Sequence, residues 1–365
     1  MLHAAVIALS SFLLFLVQPL IARLILPWFG GTAAVWTTCM LFFQTLLLAG
    51  YAYAHATNAR LAPRTQALVH TILLLVALAL LPIAPSEHWK PLGEEEPVSY
   101  ILILLVATVG LPYFLLSATS PLLQAWFARA RPGEDPYRLF AISNFASVVA
   151  LVGYPFVVEP YLGNQQQVWA WSGLFAVFAL LCAAVSWMGS TRGVATQVAA
   201  GEVAAPPSRS DYVLWLSLSA VGSVMLLAVT NHITQNVASI PLLWLAPLTV
   251  YLASFILTFE GRSLYRPVYW WSVVLVWTGG MLWLLVDKDH QFDLWLQLAM
   301  YVSGLFVACM FCHGELYRSR PPARHLTAFY LTVSAGGALG GLLVAVVAPL
   351  VFNGYFELGV GLVAL

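Results

Sequence analysis

Six polar side chains stand in apolar sequence as candidates for solute binding: Gln18, Asn144, Thr230, Asn231, His232 and Glu315. A polar group at membrane depth is costly and usually faces the protein interior or a cavity. Gln18 precedes Pro19, and Thr230, Asn231 and His232 run on towards Gln235. Both sites are expected to interrupt their helices. Proline frees a carbonyl and a side-chain amide offers donor and acceptor together, which suits an uncharged or zwitterionic solute. The plainer alternative is that these groups re-satisfy the interrupted backbone. Glu315 is the only carboxylate well inside an expected span and away from an acidic outer face. It could take a proton or a substrate amine, or pair with Arg318 and Arg320 at the interface. His313 lies two residues before it, on a different side of a helix, which argues against a direct dyad.

Other chemistry is sparse. Cys309-Met310-Phe311-Cys312-His313 has the CxxCH spacing of a haem attachment site, but inside an apolar helix the sequence is closed to such attachment. Cys39 and Cys182 also lie in apolar stretches, so small buried residues are expected rather than disulfides or a metal pair. GxGxxG, GKS/T and HExxH are absent, and no catalytic, cofactor or metal residue is assigned.

The elements that position these residues follow from composition. The 365 residues are 61% apolar and 8% charged, against roughly 45–50% and about 25% in soluble domains. Fifteen Lys+Arg balance fifteen Asp+Glu, leaving no field for nucleic acid. Too few charges remain to clothe a soluble surface. The chain is expected to be an all-α integral membrane protein of about 12 transmembrane helices. At about 20 apolar residues per crossing, spans fall near 3–25, 33–56, 66–84, 98–127, 138–159, 167–189, 212–235, 239–258, 267–286, 292–316 and 326–350. A twelfth begins around Phe356 and is expected to be cut short at Leu365.

The polar stretch 190–211 reads as a cytoplasmic linker between an N-terminal six-helix bundle, 1–189, and a C-terminal bundle, 212–365. Loops on one side carry twelve basic residues, from Arg60 to Arg324; the other side has only Arg23, Lys90 and Lys288. By the positive-inside rule the first set, and the N-terminus, are cytoplasmic. Glu87, Glu94, Glu95, Glu96, Glu159, Asp287 and Asp289 then lie outside.

The halves resemble each other. SFLLFLVQPLIA from Ser11 aligns with SVMLLAVTNHIT from Ser223, and Trp36 then corresponds to Trp244. QAWFARARP from Gln124 aligns with ELYRSRP from Glu315; Ser143 and Ser334 follow, then Pro160 and Pro349. Six crossings return the chain to its starting side, so both copies run the same way. That is the parallel-repeat plan of the major facilitator fold, with a site expected between the bundles near the midplane. Small residues at helical spacing, Ser143 to Gly153 and Gly336 to Gly341, suit close helix packing.

Several segments, LVQPLIARLILPWFGGTAAVW, YRLFAISNFASVVALVGYPFVVEP, PLLWLAPLTVYLASFILTFE and CHGELYRSRPPARHLTAFYLTVSAGGALGG, resemble the membrane region of the bacterial fused facilitator/spermidine-synthase-like proteins. The resemblance implies a bacterial inner membrane location and draws attention to Gln18, Pro19, Asn144, Tyr154, Pro155, Glu159, Pro160, His313, Glu315, Tyr330 and Ser334. It also implies a soluble aminopropyltransferase-like domain beyond the membrane region, which these 365 residues do not contain. The functions expected are a transporter-like protein for a small polar or cationic metabolite, the membrane half of a synthase-like enzyme, or a non-transporting subunit of a larger complex. The expected partners are the lipid bilayer, a small-molecule solute and, for the last two functions, a catalytic domain or membrane-complex partner; no nucleic acid is expected.

Overall fold

The computed structural model describes residues 1–29, 33–85, 89–91, 96–192, 206–234, 243–261, 265–286, 293–352 and 356–365. Gln235, Arg262, Lys288, Glu87, Glu94, Glu95, Asp287, Asp289, most of the expected linker and the Trp36 side chain lie outside that description. Lipid offers no partner for a bare peptide group, so a spanning chain of this composition must satisfy its backbone within helices. The described residues form α1 (Leu2–Phe29), α2 (Ala33–Arg60), α3 (Pro63–Ala79), α4 (Pro97–Ala130), α5 (Arg138–Tyr161) and α6 (Asn164–Arg192). They continue with α7 (Arg209–His232), α8 (Leu245–Phe259), α9 (Pro267–Val286), α10 (Leu294–Arg318), α11 (Ala323–Val351) and α12 (Glu357–Ala364). Among the described residues nine of these are long and apolar enough to cross a bilayer; α3 and α8 are shorter apolar helices. The chain is a multi-pass, all-α membrane protein.

The helices gather into two compact units, Met1–Ala205 with Pro322–Leu331, and Pro206–Pro321 with Thr332–Leu365. In the first, α1 packs on α4, α5 and α6, α2 on α4, and α3 on α6. Ser11 and Ser143 share a hydrogen bond of 2.6 Å between α1 and α5, and Trp171 Nε1 donates to the Leu13 carbonyl at 2.9 Å. Gly50 lets α2 approach α4: a Cβ there would run into Ser117 Oγ and lie 2.9 Å from the Ala118 nitrogen. In the second unit α10 packs on α7, α8 and α9, and α12 lies on α7. The start of α7 is fixed by a reciprocal cap, Ser208 Oγ accepting from the Asp211 N–H and the Asp211 carboxylate from the Ser208 N–H.

Proline position explains the main irregularities. Five-residue π turns occur at Val106–Gly110, Tyr154–Val158 and Leu343–Val347, and each ends two residues before a proline: Pro112, Pro160 and Pro349. A proline inside a helix lacks its N–H and its ring strikes the carbonyl four residues back. That carbonyl belongs here to Thr108, Phe156 and Ala345, each inside the wider turn. The turns in α5 and α11 close alike, the Glu159 N–H bonding Tyr154 O and the Ala348 N–H bonding Leu343 O. These are the prolines that align between the halves.

The expected break at Gln18–Pro19 does not occur. α1 runs continuously with Pro19 and Pro27 inside it, and Gln18 Nε2 folds back onto the Leu14 carbonyl at 3.3 Å. α7 likewise stays helical through Thr230, Asn231 and His232. Its polar residues bond back along the helix: Thr230 Oγ1 donates to Leu226 O at 2.6 Å and Thr234 Oγ1 to Thr230 O at 2.7 Å.

Candidate functional site

In the first unit the polar side chains around Asn144, Gln124 and Tyr330 are uncharged. Asn144 on α5 is buried and its amide nitrogen donates to the Phe140 carbonyl at 2.8 Å. Its amide oxygen has no partner among the described residues. One turn away the Phe140 ring lies against Tyr330, with centroids 4.9 Å apart. Tyr330 donates its hydroxyl to Gln124 Oε1 at 2.8 Å, and Gln124 Nε2 donates to Ser120 Oγ at 3.1 Å. Tyr51 stands edge-on to Tyr330 at 6.5 Å, its hydroxyl without a hydrogen-bond partner among the described residues. Amides and phenols beside aromatic faces can hold a solute by hydrogen bonds and ring contact, without an ionic anchor.

The sequence candidates of this unit lie apart. The Ser11–Ser143 bond sets Asn144 level with the early part of α1. Gln18 is seven residues further on, or about 10 Å along the axis. Gln124 and Tyr51 were not candidates from sequence. Gln124 sits in the aligned QAWFARARP segment, and its polarity amid the apolar Leu122, Leu123, Ala125 and Trp126 was the available signal.

The second unit separates its candidates further. Thr230, Asn231 and His232 occupy the last turn of α7, and the His232 ring lies 4.5 Å from that of Tyr301. Glu315 belongs to the other end of the unit: its neighbour Ser319 accepts at its carbonyl from Trp215 Nε1, 3.1 Å away. Fifteen helical residues separate Trp215 from Thr230, about 22 Å. The Glu315 carboxylate takes two hydrogen bonds from Arg318, both 2.9 Å, and one from the Tyr265 hydroxyl at 2.7 Å. Burial first, and then the carboxylate beside it, push the Tyr265 phenol above its ordinary range.

His313 has a different setting from Glu315. It is fully buried, shares a 2.7 Å hydrogen bond between Nδ1 and Ser254 Oγ, and stacks on Phe255 at 3.5 Å. Its Nε2 has no partner among the described residues, and a Cβ at Gly222 would lie 3.4 Å from it. Cys309 and Cys312 are free and buried beside it. Among the described residues no group of three or more His, Cys, Asp and Glu side chains could hold a metal ion.

No family model and no curated protein sequence matches the chain. Solved structures do. XylE, a proton:xylose symporter of the major facilitator superfamily, bound to 6-bromo-6-deoxy-D-glucose, aligns with a TM-score of 0.57 at 12% identity, over 100% of this chain and 93% of that one. A double-tryptophan variant of XylE aligns with a TM-score of 0.59 at 12% identity, over 99% and 93% of the two chains. At that identity the likeness is one of fold, and the chain has the major facilitator fold.

Proposed function

We propose that the chain is a transporter-like protein that binds or moves a small polar metabolite across a bacterial inner membrane, with its N-terminus in the cytoplasm. The observation that carries the proposal is a match to the fold of a solute symporter along the whole chain. The uncharged groups around Asn144, Gln124 and Tyr330 support a neutral or weakly polar solute over an anion, and the sugar named with XylE makes neutral sugars the first compounds to try. The basic residues support the orientation. Gln18, Asn144, Thr230, Asn231 and His232 are proposed to face solute. Glu315, held by Arg318 and Tyr265, is proposed to fix the end of α10.

Uptake into proteoliposomes, with radiolabelled monosaccharides, amino acids and polyamines, tests the proposal. Accumulation of one class that Asn144→Leu abolishes supports it. Absence of uptake and of binding across all three classes overturns it. The segments similar to the fused synthase-like proteins support a second function, that of a membrane region serving an aminopropyltransferase-type partner. Purification of the native protein in mild detergent, followed by an aminopropyl-transfer assay, separates the two.

A further inference from the structure

The aligned ends of α4 and α10 handle the same charge in opposite ways. In α10, Arg318 is neutralised by Glu315 at 2.9 Å through both carboxylate oxygens. Aligned on the shared arginine-proline ending, the α4 counterpart of Arg318 is Arg129, and Trp126 stands where α10 has Glu315. Arg129 is half-buried. Its guanidinium donates to Asn58 Oδ1 at 3.2 Å and to Gln66 Oε1 at 3.1 Å, both neutral amides. No carboxylate pairs with it among the described residues. Two contacts use two of the five guanidinium N–H donors; the others meet no acceptor among the described residues.

The arrangement is held from behind. Gln66 is 1% exposed; its Oε1 also accepts from Trp126 Nε1 at 3.0 Å, and its Nε2 donates to Thr57 Oγ1 at 3.2 Å. The amide cannot turn without breaking three bonds, so it aims the guanidinium while leaving its charge whole. A charge taken partly out of water without a counter-charge is unfavourable. Two exposed arginines stand close in sequence to its two amide partners, Arg60 two residues after Asn58 and Arg64 two residues before Gln66, and neither has a carboxylate partner among the described residues. Three arginines without carboxylate partners at one end of the unit, one of them an oriented guanidinium with donors to spare, match a phosphate group, which accepts the planar fork of arginine through two oxygens.

We propose that Arg129, oriented by Asn58 and Gln66, with Arg60 and Arg64 on the adjoining ends of α2 and α3, is a binding site for a phosphate-bearing anion. The arginine distribution predicts this end to be cytoplasmic, where an anionic phospholipid headgroup and a free phosphate are both available.

Full-length protein in phosphatidylcholine nanodiscs supplemented with phosphatidylglycerol, read by native mass spectrometry of retained lipid, tests the lipid source. Wild type should retain phosphatidylglycerol preferentially, and Arg129→Gln should reduce that preference about fivefold. Asn58→Asp should do the same by placing a carboxylate on Arg129, and it keeps the proposal testable if Arg129→Gln fails to fold. Arg318→Gln should leave the preference unchanged. The free-ion source is tested by thermal unfolding in detergent with inorganic phosphate against chloride at equal ionic strength. A phosphate-specific rise that Asn58→Asp removes, with no lipid preference, assigns the site to a soluble phosphate. Equal lipid retention in wild type and Asn58→Asp, together with no phosphate-specific rise, overturns the proposal.

Discussion

Tyr330 and Gln124 are 206 residues apart and meet through a buried hydrogen bond of 2.8 Å. Tyr330 is on α11, yet belongs to the same compact unit as α4. Gln124 is 0% exposed and its other end is committed to Ser120, so nothing else is placed to serve its Oε1. Tyr330→Phe would strand that acceptor. It should lower the midpoint of thermal unfolding in detergent by the equivalent of about 1–3 kcal/mol. Adding Gln124→Met should recover part of the loss, because both partners are then apolar.

Glycines in this fold divide by what surrounds them. A Cβ on Gly336 would run into Ser219 Oγ and the Leu216 carbonyl, whereas one on Gly173 meets nothing within 4 Å. Gly336→Ala should therefore destabilise by about 1–3 kcal/mol. Gly173→Ala, in the middle of α6, should be neutral or stabilising by up to ~1 kcal/mol. Thermal scans of the two variants side by side check both statements. Equal effects would contradict the close approach of α11 to α7.

The ion pair at the end of α10 should contribute little. Arg318 is 54% exposed, so solvent screens its attraction to Glu315. Glu315→Gln keeps an acceptor for the Tyr265 hydroxyl and should cost less than ~1 kcal/mol. Urea or thermal unfolding of the variant measures it, and uptake by Glu315→Gln should stay near wild type. Loss of uptake with normal stability would return Glu315 to the solute path.

Glu96 gives the fold a pH-sensitive helix start. Its carboxylate accepts from the Ser99 N–H at 2.7 Å, and that bond holds its pKa below the ordinary carboxylate value. A depressed folded pKa means that the stabilisation is present above the unfolded value and is lost as pH falls through the folded one. Amide protection at the first turn of α4 should drop on acidification through the carboxylate range. Glu96→Gln should flatten that dependence. Hydrogen exchange corrected for its intrinsic pH dependence checks the sign.

The fold was largely legible because crossings are written in composition: eleven apolar segments near the length of a bilayer, and the start of a twelfth, leave few alternatives. Its aligned prolines were legible too, although the π turns they produce were not. A proline marks strain, while the neighbouring helices decide whether the backbone breaks, widens or continues. At Pro19 it continues, and at Pro160 and Pro349 it widens. The candidate site was less legible. Sequence identifies a polar group in apolar surroundings, but the rotation and depth of its helix decide what it meets. Asn144 is read correctly as buried, while the partnership of Gln124 with Tyr330 depends on where α11 lies.

The π turn at Tyr154–Val158 also acts as a register spacer. Arg23 on α1 donates to the Glu159 carbonyl at 3.3 Å and lies 3.6 Å from its carboxylate. If the same residues wound as plain α-helix instead, every side chain beyond the turn would swing by about 100° relative to those before it. Glu159 would then point away from Arg23, so the wide turn, by absorbing one surplus residue, keeps the far end of α5 in phase with α1.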